Sequence, residues 1–272
     1  MDGCRAVVHC AGVVMADAAT YERVNVDLTR ALLTAAAAAG TVDTFVLISS
    51  LAAGGPAGLR QPRGEGQPDR PISHYGRSKL AAEGLLAAGW PFRTAVLRPP
   101  SLYGPRDREF GPLLRAASRG WTARFGRAMD GLSLVHGRDA AAAAVALLDA
   151  PGAVGVYHLD DGPGLDGPRD PGRRWPWGYD WNELHTALTW LFGRSVRRLE
   201  IPLGLLRLAS RLAGERRFRS PVLHPDRIRD LDTPGWVCTA ERLRRDTGWL
   251  PVHNLASGLR DTLDFYRRRG WM

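Results

Sequence analysis

Short, wholly apolar runs alternate with longer stretches of helical spacing along the first 160 residues. Arg5-Ala-Val-Val-His9 reads as a buried strand leading into Cys10-Ala11-Gly12. A helix is predicted from about Tyr21 to Ala39, closed by Gly40 where a helix end favours glycine. Phe45-Val-Leu-Ile-Ser49 is a second apolar strand, running into a Gly/Pro-rich loop from Ala53 to Pro71. Tyr75 to Ala88 has helical spacing, and Arg93-Thr-Ala-Val-Leu97 is a third strand, stopped by Pro99-Pro100. Strands with no polar alternation have both faces covered. Alternating with helices, they predict an α/β protein built on a doubly wound parallel sheet.

Beyond Phe110 the pattern is less regular. An Ala-rich helix is predicted over Arg138 to Leu148 and a strand over Val154 to Leu159. Asp160 to Gly178, rich in Gly, Pro, Asp and Arg, reads as an exposed loop. Further helices are predicted at about Trp181 to Leu191, Leu203 to Leu212, Ala240 to Asp246 and Leu255 to Arg268. These give a small, mostly helical C-terminal lobe over residues 161–272, interleaved with the sheet domain of residues 1–160. The amphipathic Leu203 to Leu212 segment is expected to pack on the core rather than on a membrane. The longest uninterrupted apolar run, Ala140 to Leu148, is half of the roughly 18 residues a membrane span needs.

Composition sharpens this picture at three points. The 44% hydrophobic content suffices for a sizeable core and excludes a disordered chain. The net charge of +9 suggests nucleic acid until the basic residues are sorted: 36 of the 37 are Arg, and they are spread along the chain. No zinc-finger or aromatic RNA-binding signature accompanies them, so no nucleic-acid partner is expected, only some attraction to anionic ligands. Three widely spaced cysteines (Cys4, Cys10, Cys238) form no disulfide framework and no metal-ligand spacing. No metal is expected, and with an N-terminus unlike a signal peptide the expected location is the reduced cytoplasm.

The one lysine, Lys79, lies four residues after Tyr75, on the same helix face. A chain that uses Arg everywhere else retains here a compact ammonium on a flexible stem. Placed beside a phenol, an ammonium stabilises the phenolate and brings its pKa down from about 10. That makes Tyr75 a candidate acid/base.

Tyr75-Gly-Arg-Ser-Lys79, preceded by a strand ending in Ser49-Ser50, resembles the extended short-chain dehydrogenase/reductases, the NAD-dependent epimerase/dehydratase group. Other segments match in order: His9-Cys10-Ala11-Gly12, Val24-Asn25-Val26, Leu97 to Pro105, Leu134 to Asp139, Gly248-Trp-Leu-Pro251 and Phe265-Tyr-Arg267. The resemblance implies a Rossmann-like sheet, NAD or NADP as cofactor and a small-molecule substrate. It also implies a homodimer formed through four helices. By the same resemblance Tyr75, Lys79, Ser50 and Asn25 are the catalytic set, with Lys79 also reaching the nicotinamide ribose. The cofactor would lie along His9, Ala11, Gly12, Asn25, Ser49, Tyr75, Lys79, Pro99, Pro100 and Ser101. Read as residues alone, His9 is a core histidine, and Asn25 or Asp139 serves equally as a helix-start residue. The family's opening strand, glycine-rich turn and helix have no counterpart before Val7. About 60 residues, two overlapping βαβ units, are therefore expected to precede this sequence in the full protein, and with them the strand end that separates NAD from NADP.

The residues just after Ser50 narrow the reaction. Dehydratases of this group carry an Asp-Glu pair there and epimerases a Val-Tyr-Gly, whereas this chain has Leu51-Ala52-Ala53-Gly54. The expected reaction is hydride transfer at a secondary alcohol or ketone carbon, as in the hydroxysteroid-dehydrogenase and reductase branches. The alternatives are a sugar-nucleotide epimerase and a non-catalytic binding or assembly subunit or inactive fragment.

Overall fold

Successive residues of the apolar strands point to opposite faces, and both faces are covered in the computed structural model, which describes residues 3–162, 174–214 and 223–272. Strands β1 (Ala6–His9), β2 (Thr44–Ile48), β3 (Arg93–Arg98) and β7 (Gly155–His158) form one all-parallel sheet in the order β1-β2-β3-β7. The register pairs Val8 with Val46, Val46 with Ala95 and Ala95 with Gly155. The sheet predicted from the apolar runs is thus present.

The crossovers are helical. Helix α1 (Ala18–Tyr21), a π turn over Glu22–Asp27 and α2 (Leu28–Ala39) follow one another without a break, ended by Gly40 in the left-handed region at φ 64°. A one-turn helix, α3 (Leu51–Gly54), precedes α4 (His74–Gly84). Phe45, Leu47 and Val96 face Leu33 and Ala36 of α2 and Ala82 of α4. Val46, Ala95 and Leu97 face the opposite layer, Ala140, Ala143 and Leu147 of α6 (Gly137–Asp149). The apolar residues of β2 and β3 thus meet one helical layer or the other, the physical reason these strands lack polar alternation. β1 borders the sheet: Val8 is 36% exposed, whereas its neighbour Val46 is fully buried.

A third cluster fills the region beyond the sheet. Leu114 and Ala117 of α5 (Gly111–Ser118), Trp181, Leu184 and Leu188 of α7 (Trp181–Phe192), and Leu255, Leu259 and Tyr266 of α11 (Leu255–Arg268) pack around Tyr103 and Leu134. Tyr103 lies on β4 (Ser101–Tyr103) and Leu134 on β6 (Leu134–His136), a parallel pair. β5 (Trp121–Phe125) pairs in parallel with β8 (Arg197–Ile201). The helices α8 (Leu203–Leu212), α9 (Pro225–Leu231) and α10 (Glu241–Thr247) complete the described elements. Packing crosses residue 160 freely, since Ala240, Leu243 and Trp249 join the α6 side of the sheet.

Two expectations from the sequence require correction. Asp160 and Asp161, assigned to an exposed loop, are buried; Asp160 accepts from the backbone N–H of Ala240 and pairs with Arg244, because a chain entering the core there must satisfy its carboxylate. Residues 163–173 of that loop lie outside the described residues. Helix α8 forms as predicted, yet only Leu206 and Ser210 are buried, while Leu205, Leu208 and Leu212 face outward.

Candidate active site

In a parallel sheet all strands end on the same side, so the loops after β1, β2 and β3 meet there, the usual place for a ligand in such sheets. Residues 10–12, 49–51 and 99–101 occupy these three loops. Leu51 N–H donates to the Pro99 carbonyl at 2.9 Å, tying the second loop to the third.

Ser50 is the N-cap of α3, its hydroxyl accepting from the Ala52 N–H at 3.2 Å. Ser73 caps α4 in the same way, through the Gly76 N–H at 3.2 Å. The two helices approach at Gly76, where any Cβ would overlap the Ala52 carbonyl oxygen. This contact brings the Tyr75 phenol within the influence of the Ser50 hydroxyl. Burial pushes the phenol above its ordinary value; the Ser50 hydroxyl and Arg227 pull it down, while Asp230 and Glu109 push it up.

Lys79 is buried one turn further along α4, and its ammonium donates to the Ile48 carbonyl at 2.9 Å. Burial lowers its pKa, partly offset by Glu83 and Cys10. A Cβ on Gly12 would stand 3.3 Å from Lys79 Nζ and 3.1 Å from Asn25 Oδ1, so the missing side chain leaves room where the β1 loop crosses both. Asn25, in the π turn, accepts from the Val13 N–H at 2.9 Å and donates to Ser78 Oγ at 2.9 Å. It straps the β1 loop to α4 and is not a helix N-cap. π turns inside helices recur at functional sites.

Other residues expected along the cofactor divide by direction. Pro99, Pro100 and Ser101 run along the third loop, and Ala11 and Gly12 are exposed on the first. His9 points inward: its Nε2 is bonded to Thr29 Oγ1 at 2.9 Å, and burial and Lys79 lower its pKa. Ser49 also turns inward, its hydroxyl on Glu83. That contact belongs to a buried polar network under the site. Arg98, 2% exposed, donates to Glu83 Oε1 at 2.9 Å and to both Asp69 oxygens at 2.7 and 2.8 Å, and Arg63 meets Asp69 at 3.2 Å. The two acids hold the Arg98 guanidinium firmly charged.

Sequence reasoning did not single out Asp226 and Asp230. Asp226 Oδ2 accepts the Tyr75 backbone N–H at 3.0 Å. Asp230, one turn along α9, has an Oδ1 sealed from solvent with no hydrogen-bond partner, and burial lifts its carboxyl to about 7. The sequence predicts no element over Pro225–Leu231, so nothing there draws attention to either carboxylate. Glu83 was detectable, since it falls four residues after Lys79 on the face that carries Tyr75. Beside α9, a cleft of about 280 Å³ is lined by Ala16, Asp17, His74, His224, Asp226 and Arg229.

A second cluster, His136, His253 and Asp261, brings its ring nitrogens and carboxylate within 4.8 Å of one another. The hydrogen bonds favour a structural role. His253 Nδ1 is bonded to Asp139 at 3.1 Å, while His136 Nδ1 accepts from the Arg138 N–H at 3.4 Å, which puts the proton of neutral His136 on Nε2, facing Asp261 at 3.4 Å. Asp139 also accepts the His253 backbone N–H at 2.9 Å and thus joins α6 to the start of α11.

The nicotinamide half of a dinucleotide fits this geometry. Gly12 clears its loop, and Lys79 commits one of three protons to Ile48 and has others to offer a ribose. Comparison with known proteins points the same way. The model of the NAD dependent epimerase/dehydratase family matches residues 1–159. The chain is 30% identical over 274 aligned residues to a ceramide reductase of Caulobacter vibrioides, covering 99% of this chain and 76% of that protein. It is 37% identical over 138 residues to a 4-hydroxy-2-methyl-3-oxo-4-farnesyl-3,4-dihydroquinoline-1-oxide ketoreductase of Stigmatella aurantiaca, covering 48% of this chain and 40% of that one. Among solved structures, MoeE5 in complex with UDP-glucose and NAD superposes with a TM-score of 0.74 at 22% identity, covering 98% of this chain and 81% of that one. The chain therefore belongs to the NAD-dependent epimerase/dehydratase family and is an enzyme that works with a nicotinamide dinucleotide, NAD or NADP.

Proposed function

We propose that this enzyme is a reductase that moves hydride between the nicotinamide and a secondary alcohol or ketone carbon of a lipid-like substrate. The observation that carries this reading is the half-buried Tyr75, whose phenol is influenced by the Ser50 hydroxyl beyond the end of β2 and which lies one helical turn from Lys79. The dinucleotide, when bound, supplies or accepts the hydride. Ser50 orients the substrate oxygen, and Tyr75 hands it a proton in reduction or removes one in oxidation. Lys79 and Gly12 would hold the nicotinamide ribose side, with Pro99, Pro100 and Ser101 along the third loop. Asn25 is a positioning residue whose amide fixes the β1 loop against α4.

Two features favour a reductase over the family's other reactions. Leu51, Ala52 and Ala53 come directly after Ser50 and are buried, leaving no acid there to expel water from a sugar. Both curated relatives are named for reduction of compounds with long apolar chains, a ceramide and a farnesyl quinoline. The test is oxidation of NADH or NADPH by the full-length protein with a long-chain ketone. Net loss of reduced cofactor in proportion to ketone supports the reading. Turnover of a sugar nucleotide with no net change in cofactor would replace it with epimerisation.

A further inference from the structure

Helix α8 presents an apolar stripe to solvent. Leu206 and Ser210 face the protein, whereas Leu205, Leu208 and Leu212 are 59%, 54% and 79% exposed. At 3.6 residues per turn these three side chains fall within about 60° of one another, on the side away from Leu206 and Ser210. Arg211 borders the stripe on one side, with Arg207 about 40° further round on that same side, and α8 contains no acidic residue. Arg207 meets Asp232 at 2.6 Å, which leaves it half-exposed at the helix edge. The preceding strand continues the pattern: β8 exposes Leu199 between Arg198 and Glu200, and Arg197 lies over the ring of exposed Trp121 on the neighbouring β5, 5.4 Å from its centroid. Residues 197–214 carry four arginines against one glutamate. Exposed leucines with arginines along one edge, and a tryptophan nearby, have the chemistry of an interfacial helix, whose apolar face enters the acyl boundary while cations meet phosphate.

We propose that α8 docks this enzyme on the surface of an anionic phospholipid bilayer, with Leu205, Leu208 and Leu212 in the acyl boundary and Arg207 and Arg211 among the headgroups. The biological sense of this docking rests on the lipid-substrate reading, because a substrate dissolved in a bilayer must be met at its surface. The charge favours this occupant: a second copy of the chain would set α8 arginines against α8 arginines, whereas a bilayer of phosphatidylglycerol offers phosphate to each.

The experiment is flotation of the full-length protein with vesicles of phosphatidylglycerol and phosphatidylcholine, compared with vesicles of phosphatidylcholine alone. The parent is expected to float with the anionic vesicles at low salt and to be released as salt is raised. The combined variant Leu205→Ser/Leu208→Ser/Leu212→Ser is expected to bind at least tenfold more weakly. Arg211→Glu should lose binding to anionic vesicles in the same sense. All four positions are exposed, and unchanged reduction of a short, water-soluble ketone serves as the control for folding. A parent that does not float, or a serine variant that floats as well as the parent, overturns the proposal. So does a change of oligomeric state on serine substitution, which would assign the stripe to a second copy. Failure of the lipid-reductase reading reads out separately: vesicle binding without reduction of any long-chain ketone leaves docking standing and removes the reductase.

Discussion

Replacing Asp230 with Asn removes a carboxyl that the fold holds in its neutral form near neutral pH. Burial is the main cause, Asp226 adds to it, and Arg227 and Arg229 oppose it; together they lift the carboxyl from about 3.8 to about 7. An acid whose pKa is raised by folding takes up a proton as the chain folds. Its native state is therefore unpenalised below about pH 3.8, loses stability as pH rises, and carries the whole penalty above pH 7. At about 1.4 kcal/mol per pH unit the full penalty is about 4 kcal/mol, of which roughly 3 kcal/mol accrues between pH 5 and pH 8. Asn has the same shape and no titration. Urea unfolding at both pH values should show the Asp230→Asn variant gaining roughly 3 kcal/mol more over the parent at pH 8 than at pH 5. All other titrating groups cancel in that difference. An equal gain or loss at the two pH values would refute the reasoning. Because the Asp230 charge also pushes the Tyr75 phenol up, the same variant should shift any Tyr75-dependent limb of the pH–rate profile to lower pH.

Tyr75→Phe removes the hydroxyl and leaves the ring in place, so turnover should fall by at least 10³-fold while cofactor binding, read by fluorescence titration, is spared. Gly76→Ala forces a methyl into the Ala52 carbonyl and should cost about 1–3 kcal/mol in a denaturant titration, with kcat lowered because Tyr75 is moved from Ser50. Arg98→Met leaves Glu83 buried without its cation, while the more exposed Asp69 keeps Arg63; a loss of about 3–5 kcal/mol is expected, smaller at low pH, where the Glu83 carboxyl, already raised by burial, takes up a proton.

The sheet was legible because its strands are apolar on both faces, so β2 and β3 could be read from Phe45 to Ile48 and Arg93 to Leu97 alone. The same reading failed for β5 and β8, whose Trp-Thr-Ala-Arg-Phe and Arg-Arg-Leu-Glu-Ile pair only with each other at the surface and carry no buried period. For the site, Tyr75 and Lys79 stood out because chain chemistry and helical spacing agree there. His9 was legible as a core histidine from its apolar strand, whereas Ser49 could not be oriented from sequence, since adjacent strand positions alternate between faces and only the packed layers show which face holds Glu83. Asp230 was invisible for another reason: it lies 155 residues from Tyr75, and nothing local in Pro225–Leu231 marks it as buried.

The π turn over Glu22–Asp27 has a consequence for which length changes this chain can survive. Such a turn is a helix holding one surplus residue. Deleting any one of the six would restore regular spacing and leave the two flanks close to their present phase, because the surplus residue is absorbed within the turn itself. Leu33 and Ala36 would keep their place on the sheet, and the loss would fall on the bulge that carries Asn25 to Val13 and Ser78. Point substitutions at exposed Glu22, Arg23 and Asp27 are cheap by comparison, so what this turn protects is the count of residues rather than their kind.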